Sequence, residues 1–344
     1  MKATMKSEKK HFPVLLNELK SIISPLYGGT FIDCTFGQGG YSKEILKSKK
    51  NKVVALDRDK NVYKFAKALE KKYGDRFCFN NTKFSKINKV KYNFNDVRGI
   101  IFDLGLSTLQ LNDKKKGISF KSNSKLNMQM GQNTFSAHDV INRMNFEDIN
   151  KIIKFFGEEK KSKIISKLIL SHRKKKNLDT KDLVSIIHKA NPKKKKINPA
   201  TKTFQGIRIF VNKEISELIY GLTNSFNVLP VGGLLAVITF HSIEDKIVKY
   251  FFKHYSENSN TSRYYPEKKE RKLFKLLNKK PIYPSIEEIR INPSSRSAKL
   301  RYGIKISETD NFNSFFDKFK FYLNIENLDK NLWKIYFFHF LLFY

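Results

Sequence analysis

The sequence predicts a parallel, doubly wound α/β sheet with a helical bundle inserted into it. Three observations predict this. Strand and helix patterns alternate through the first hundred residues. The alternation breaks at 113–204, a Lys-rich stretch with helical period. It resumes after 204 with a long helix, a glycine turn and a strand.

The elements follow in order. In "FIDCTFGQGGYS" (31–42), Phe31 and Ile32 alternate with Thr30 and Asp33 as in a short strand, and three glycines occupy four positions before a helix start at Tyr41. A strand, a glycine loop and a helix together seat nucleotide-like ligands at many sheet edges, although an ordinary tight turn reads the same way. "KVVALDRD" is a strand ending on Asp57. "NVYKFAKALEKKYG" is a helix with Val62, Phe65, Ala66 and Leu69 on one face and Gly74 as its stop. "RFCFN" and "VRGIIFDLGLS" are further strands.

Within 113–204, Asn145 and Asp148 form an N-cap arrangement ahead of "INKIIKFFG". "KIISKLILSHR" and "TKDLVSIIHKA" place Ile164, Ile165, Leu168, Ile169 and Leu183, Ile186, Ile187, Ala190 at helical spacing. "NPKKKKINPA" (191–200) reads as an exposed loop. "FQGIRIFVNKEISELIYGLTNSFNVL" reads as one long helix, "PVGGLLAVITF" as a turn and strand, "SIEDKIVKYFFKHY" as a helix and "SAKLRYGIKI" as an edge strand. Residues 306–344 are rich in Phe and Asn and fit no element. They read equally as a helix docked on the sheet domain or as a poorly ordered extension.

Composition narrows the function. The 344 residues include 67 Lys and Arg against 32 Asp and Glu, a net charge of +35. Such an excess favours a polyanionic partner, nucleic acid first. Two cysteines, Cys34 and Cys78, offer no disulfide framework and fit a reducing cytosol. The seven His residues show no metal-ligand spacing, so no metal is expected. Met1–Lys10 lacks the apolar region of a signal peptide, and no run has the length of a membrane span.

Asp33, Asp57 and Asp103 stand at predicted strand ends, where parallel sheets bind ligands. Asp57 follows Gly37 by 20 residues, the offset of an acid that accepts from ribose hydroxyls. The glycine pattern is G-x-G-G, which fits a dinucleotide poorly, and no G-K-[ST] follows it. S-adenosylmethionine, with a ribose and no pyrophosphate, fits better. NAD chemistry stays the weaker reading.

These blocks resemble the RsmH (MraW) family of bacterial small-subunit rRNA cytosine methyltransferases. The resemblance is carried by "HFPVLLNE" (11–18), "FIDCTFGQGGYS", "ALDRD" (55–59), "IIFDLGLSTLQL" (100–111), "GISF" (117–120), "ATKTFQGIRIFVN" (200–212), "GGLLAVITFHSIEDKIVKYFF" (232–252) and "NPSSRSAKLR" (292–301), in order and at compatible spacing. It implies a class I (Rossmann-like) S-adenosylmethionine-dependent methyltransferase fold with an inserted helical domain. The discontinuous methyltransferase domain would cover 1–112 and 205–305, and the RNA-recognition insert 113–204, leaving 306–344 as an extension. It implies cofactor positions at Gly39, Gly40, Tyr41, Asp57, Phe84, Asp103 and Gln110, although Phe84 alone reads as a plain core residue. The implied reaction is N4-methylation of a decoding-centre cytosine in 16S rRNA of the small ribosomal subunit, in the cytoplasm.

Asp103 is the expected carboxylate beside the target amine. His241 in "TFHSIED" is expected to orient the base or accept a proton, with Ser242 capping the helix that follows. A capping Ser and a merely polar His are the plainer alternatives. Lys114–Lys116, Lys174–Lys176 and Lys193–Lys196 are candidate phosphate contacts. The competing function is a non-catalytic nucleotide-binding ribosome assembly factor. Departures from the family are Cys34 in place of Gly, a missing Pro before Gln110, and "LNMQM" (126–130) where an acid and an arginine are usual.

Overall fold

In the computed structural model, residues 13–113, 116–120, 125–131, 133–193, 198–256, 272–309 and 311–330 are described. Helix α1 (Leu16–Ile23) precedes a regular alternation: β1 (Thr30–Asp33), α2 (Gly40–Ile45), β2 (Lys52–Leu56), α3 (Tyr63–Tyr73), β3 (Phe77–Asn80) and β4 (Val97–Asp103). Helices α4 (Thr108–Asn112), α5 (Ala137–Arg143), α6 (Phe146–Lys151), α7 (Ser162–Arg173), α8 (Thr180–Ala190), α9 (Ala200–Asn212) and α10 (Glu214–Val228) follow, with no intervening strand among the described residues. Then come β5 (Leu234–Thr239), α11 (Ser242–His254), β6 (Phe274–Lys275), α12 (Ile286–Ile291), β7 (Lys299–Lys305) and α13 (Asn313–Glu326).

The sheet order is β3-β2-β1-β4-β5-β7-β6. The first five strands are mutually parallel; β7 runs antiparallel to β5, and β6 antiparallel to β7. Strand order reverses between β1 and β4, the switch point at which such sheets open a crevice. Both faces are covered. Phe31, Val53, Ala55 and Ile101 pack with α1, α2 and α3, while Ile32, Val54, Leu56, Ile100 and Phe102 pack with α10 and α11. All four residues of β1 are buried, Thr30 and Asp33 included, as a short buried strand requires.

Most predicted elements are present, including the Gly74 stop (φ 52°) and the Asn145 cap on the Asp148 N–H at 2.9 Å. Four expectations need correction. The predicted long helix is two helices, because Lys213 takes a left-handed backbone (φ 54°) between α9 and α10. Asn212 explains the break: its amide bonds the Met128 carbonyl and the Met130 N–H, both 2.8 Å, and so ties the joint to a distant loop. Strand β7 is not the edge, because two residues of β6 pair outside it. Strand β2 stops at Leu56, one residue before Asp57. Ile164 is exposed on α7, while Ile165 and Ile169 are buried. Of the two readings of the C-terminal extension, its described part is a docked helix, α13, with Phe315 and Phe319 fully buried against α11.

Helix α6 runs into a π-helical turn, Ile152–Phe156, which packs on α9 through Gly157 and Gly206. A Cβ on Gly157 would lie 2.5 Å from the Lys202 carbonyl oxygen and 2.6 Å from that of Ile153. Backbone on both sides cannot yield cheaply. Gly157→Ala is expected to destabilise the protein by about 2–4 kcal/mol, read as a lowered urea midpoint at unchanged slope.

Candidate functional site

The ends of β1, β2 and β4 bring the three acids to one edge. Asp33 is fully buried, with Oδ2 accepting from the Ser42 hydroxyl at 2.6 Å. Burial pushes its carboxyl up to about 6, and the Ser42 bond offsets part of that rise. Asp103, across the β1–β4 switch point, is anchored by its backbone N–H donating to Thr35 Oγ1 at 2.8 Å. Its Oδ1 is buried without a hydrogen-bond partner among the described residues. Burial, and then the charge of Asp33, push Asp103 up to about 8, against which the nearby Tyr41 hydroxyl acts. A buried oxygen without a donor beside a second carboxyl is a costly arrangement unless a cation occupies it.

The glycine loop lies between β1 and α2. Gly39 needs its positive φ of 76°, and a Cβ there would meet the Phe36 ring at 2.7 Å. At Gly40 the obstacle is Pro13, whose Cγ would lie 2.3 Å from a Cβ. Tyr41 is buried, and its hydroxyl donates to the Val14 carbonyl at 2.5 Å. Gly40 and Tyr41 therefore fasten the segment before α1 onto the loop. Asp57 shapes the loop from β2: Oδ2 accepts from the Gly37 N–H and Oδ1 from the Asp59 N–H, both at 2.8 Å. Burial raises its carboxyl, and these two N–H bonds offset the rise. Each oxygen keeps a further lone pair for ligand hydroxyls.

The other two expected cofactor residues are also embedded in structure. Phe84 sits in the turn after β3, edge-on to Phe102 with centroids 5.2 Å apart, over Gly221 of α10. Gln110 forms a capping box with Ser107 on α4 and donates Nε2 to Asp59 at 3.2 Å. Asp59, which sequence reasoning passed over, also receives the Lys116 ammonium at 2.8 Å. Burial pushes the Asp59 carboxyl up, but Lys116, the Asn61 N–H and Gln110 together hold it below its ordinary value. This network joins the end of β2 to the stretch after α4, and it removes Lys116 from the free phosphate contacts.

At the end of β5, His241 rather than Ser242 is the N-cap of α11. Its Nδ1 accepts the Glu244 N–H at 3.4 Å, and Glu244 Oε2 accepts the His241 and Phe240 N–H groups. Ser242 instead donates to Glu158, at the turn following the π-helical segment. Accepting at Nδ1 leaves the ring proton on Nε2, 3.1 Å from Glu244 Oε1. Glu214, at the start of α10, completes the group, and Arg208 holds it by two bonds of 2.9 Å. Glu214, His241 and Glu244 have ligand atoms within 4.8 Å of one another. Burial acts to raise Glu244, but His241, the Phe240 N–H and Arg208 hold it below its ordinary range. With Arg208 on Glu214 and backbone donors on Glu244, the donor set is consumed as an ion-pair cluster, not as a metal centre. Glu214 is distant in sequence from His241, so spacing could not reveal the group.

Among the predicted phosphate contacts, Lys174 and Lys175 are exposed, and Lys176 pairs with Asp182 at 2.8 Å. Lys114, Lys115 and Lys194–Lys196 lie outside the described residues. The departures are absorbed structurally. Cys34 is buried. In 126–130, Leu126, Met128 and Met130 enter the core, while Gln129 donates to the Asn133 and Phe135 carbonyls. No described helix is long and apolar enough to cross a membrane.

Comparison with known proteins places most of the sequence in one family. The sequence pattern of the MraW methylase family matches residues 8–306. The "Ribosomal RNA small subunit methyltransferase H" of Wolbachia sp. subsp. Drosophila simulans is 43% identical over 296 residues, 85% of this chain and 97% of that relative. Its namesake in Ehrlichia canis is 42% identical over 302 residues, 86% of this chain and all of that relative. That of Rickettsia africae is 40% identical over 310 residues, 87% and 99% of the two chains.

Proposed function

The chain belongs to the MraW methylase family, and from that premise we propose that it methylates N4 of a decoding-centre cytosine in 16S rRNA, within the small ribosomal subunit, in the cytoplasm. It is a small-subunit rRNA methyltransferase that uses S-adenosylmethionine. The observation that carries the assignment of residues is the unpartnered Asp103 carboxylate oxygen at the switch point, beside a glycine loop shaped by Asp57.

The donor set fits that cofactor. Gly39, Gly40 and Tyr41 form the loop, the spare lone pairs of Asp57 suit ribose hydroxyls, and Asp103 with Asp33 suits a cation. Phe84 and Gln110 border the same edge from β3 and α4. When bound, the cofactor supplies an electrophilic methyl carbon on a sulfonium. The chain's own work is to align the acceptor amine with that carbon and to desolvate it. The cytosine amine is a poor nucleophile because its lone pair is delocalised into the ring, and Asp103 is the acceptor that pulls on its N–H. His241, held against Glu244 at the end of β5, supports the surface that orients the base. The base must leave its stack to reach this edge. The helices of 113–204 and their exposed lysines supply backbone contacts to structured RNA.

Incubation with labelled S-adenosylmethionine and small subunits from cells lacking the modification tests the reading. Label is expected on one cytosine of 16S rRNA, at N4. Binding of the subunits without transfer would instead support the assembly-factor reading. His241→Ala is expected to lower turnover by about tenfold with cofactor affinity unchanged. Equal turnover removes His241 from the reaction.

A further inference from the structure

We propose that Glu326, on the helix past the end of the family match, is a positioning residue for the base-facing half of the site. The inference rests on the reaction proposed above. The family match ends at residue 306, and α13 lies beyond it. Helix α13 is fixed on several elements at once: Phe315 against Phe251 of α11 (5.0 Å between centroids), Phe316 against Tyr220 of α10 (5.4 Å), and Phe321 against Phe155 of the π-helical turn (4.7 Å).

Its last residue reaches the joint between α9 and α10. Glu326 is 1% exposed; Oε1 accepts the Ile215 N–H and Oε2 the Ser216 N–H, each at 2.8 Å. Lys213, the left-handed residue at the joint, donates to the Glu326 carbonyl and pairs with Asp329 at 2.8 Å. A carboxylate on these N–H groups satisfies donors a helix start leaves open and complements its dipole. At the other end of α10, Lys305 donates to the Phe226 and Leu229 carbonyls at 2.8 and 2.7 Å. Helix α10 is therefore tied at both ends, by the Glu326 carboxyl at its start and the Lys305 ammonium at its end.

The residue immediately before the Glu326 bonds is Glu214. It grips Arg208 and stands within ligand distance of His241 and Glu244. Moving the start of α10 moves Glu214, and with it the surroundings of the His241 ring. The cofactor edge meets this joint only farther from Glu326, where the Arg58 guanidinium donates to the Asn212 carbonyl at 3.0 Å and Gly221 of α10 lies under Phe84. Glu326, bonded at Ile215 and Ser216 beside Glu214, therefore acts first on the base-facing half.

Glu326→Gln tests this in the full-length chain. The amide keeps one acceptor oxygen and turns a donor toward a donor. Methyl transfer to small subunits is expected to fall about tenfold in kcat, with the S-adenosylmethionine Kd within about twofold of wild type, assayed well below Tm. Faster amide exchange at Ile215 and Ser216 is expected alongside. Lys213→Met, which leaves both carboxylate bonds in place, is expected to show the same selective loss at smaller size and serves if the first variant does not fold. Phe319→Leu, a core change on the same helix, is expected to lower Tm while keeping kcat. Unchanged kcat at a lowered Tm in Glu326→Gln overturns the proposal. So does a joint loss of kcat and cofactor affinity, or an equal loss of kcat in Phe319→Leu. Absence of transfer by the wild-type protein would instead overturn the reaction itself, a separable result.

Discussion

Asp103→Asn is expected to raise the thermal stability of the ligand-free protein while weakening S-adenosylmethionine binding about 10²–10³-fold. The two halves have one cause. The Asp103 carboxyl is held at about 8 by burial and by Asp33, which outweigh the Tyr41 hydroxyl, so its charged form is disfavoured in the free protein. An amide of the same shape removes that opposition. The gain should grow from about pH 4 to about pH 8 and level off above, since over that window the unfolded carboxyl is charged while the folded one keeps its proton. Binding moves the other way. A unit charge about 4 Å from a cation is worth about 4 kcal/mol at an effective dielectric constant near 20. The orphaned Oδ1 has no other evident purpose. Calorimetry for affinity and a melting curve at pH 8 read both quantities. A variant that melts lower and binds as tightly would make Asp103 a structural residue and sink the assignment.

That opposition between stability and binding explains what sequence alone made legible. The order of strands, the glycine loop and the three strand-end acids were visible because each rests on local signals: period, φ > 0 glycines and the position of an acid after an apolar run. Asp57 was expected as a ribose acceptor, and its bonds to Gly37 and Asp59 add a second role that spacing does not encode. What escaped was non-local. The Lys213 break has no Gly or Pro, and its cause, Asn212 bonded to Met128 and Met130, spans more than 80 residues. The Arg208–Glu214–His241–Glu244 cluster draws on three helices and a strand end. His241 displaced Ser242 as the cap because the Glu244 carboxylate returns to the N–H groups of Phe240 and His241, a choice fixed by packing rather than propensity. Helix α13 looked featureless because its aromatic residues meet α10, α11 and the π-helical turn on different sides and leave no clean amphipathic period.

Cofactor binding should also be linked to proton release. Burial first, then Asp33, keeps Asp103 protonated below about pH 8; Asp33 itself is raised by burial to about 6. Both folded values exceed those of the unfolded chain, so the folded state binds more protons across this window. Ligand-free stability is therefore highest at the acid end and falls as pH rises from about 4 toward 8, by about 1.4 kcal/mol per unit for each group within its range. A bound cation reverses the preference and draws these carboxyls into their charged form. The groups facing Asp103 from the neighbouring elements are Asp33 of β1, Tyr41 of α2, Glu244 of α11 and Glu288 of α12, none of them a cation. Affinity should therefore strengthen up to about tenfold per pH unit between pH 6 and 7.5, with close to one proton expelled per cofactor at pH 7. Titrations at pH 7 in two buffers of different ionisation enthalpy measure that proton directly. Asp103→Asn should abolish most of the difference between the buffers. Heats that do not depend on the buffer in the wild-type protein would mean that the carboxylates at the switch point are already ionised, and that no cation is needed to make them so.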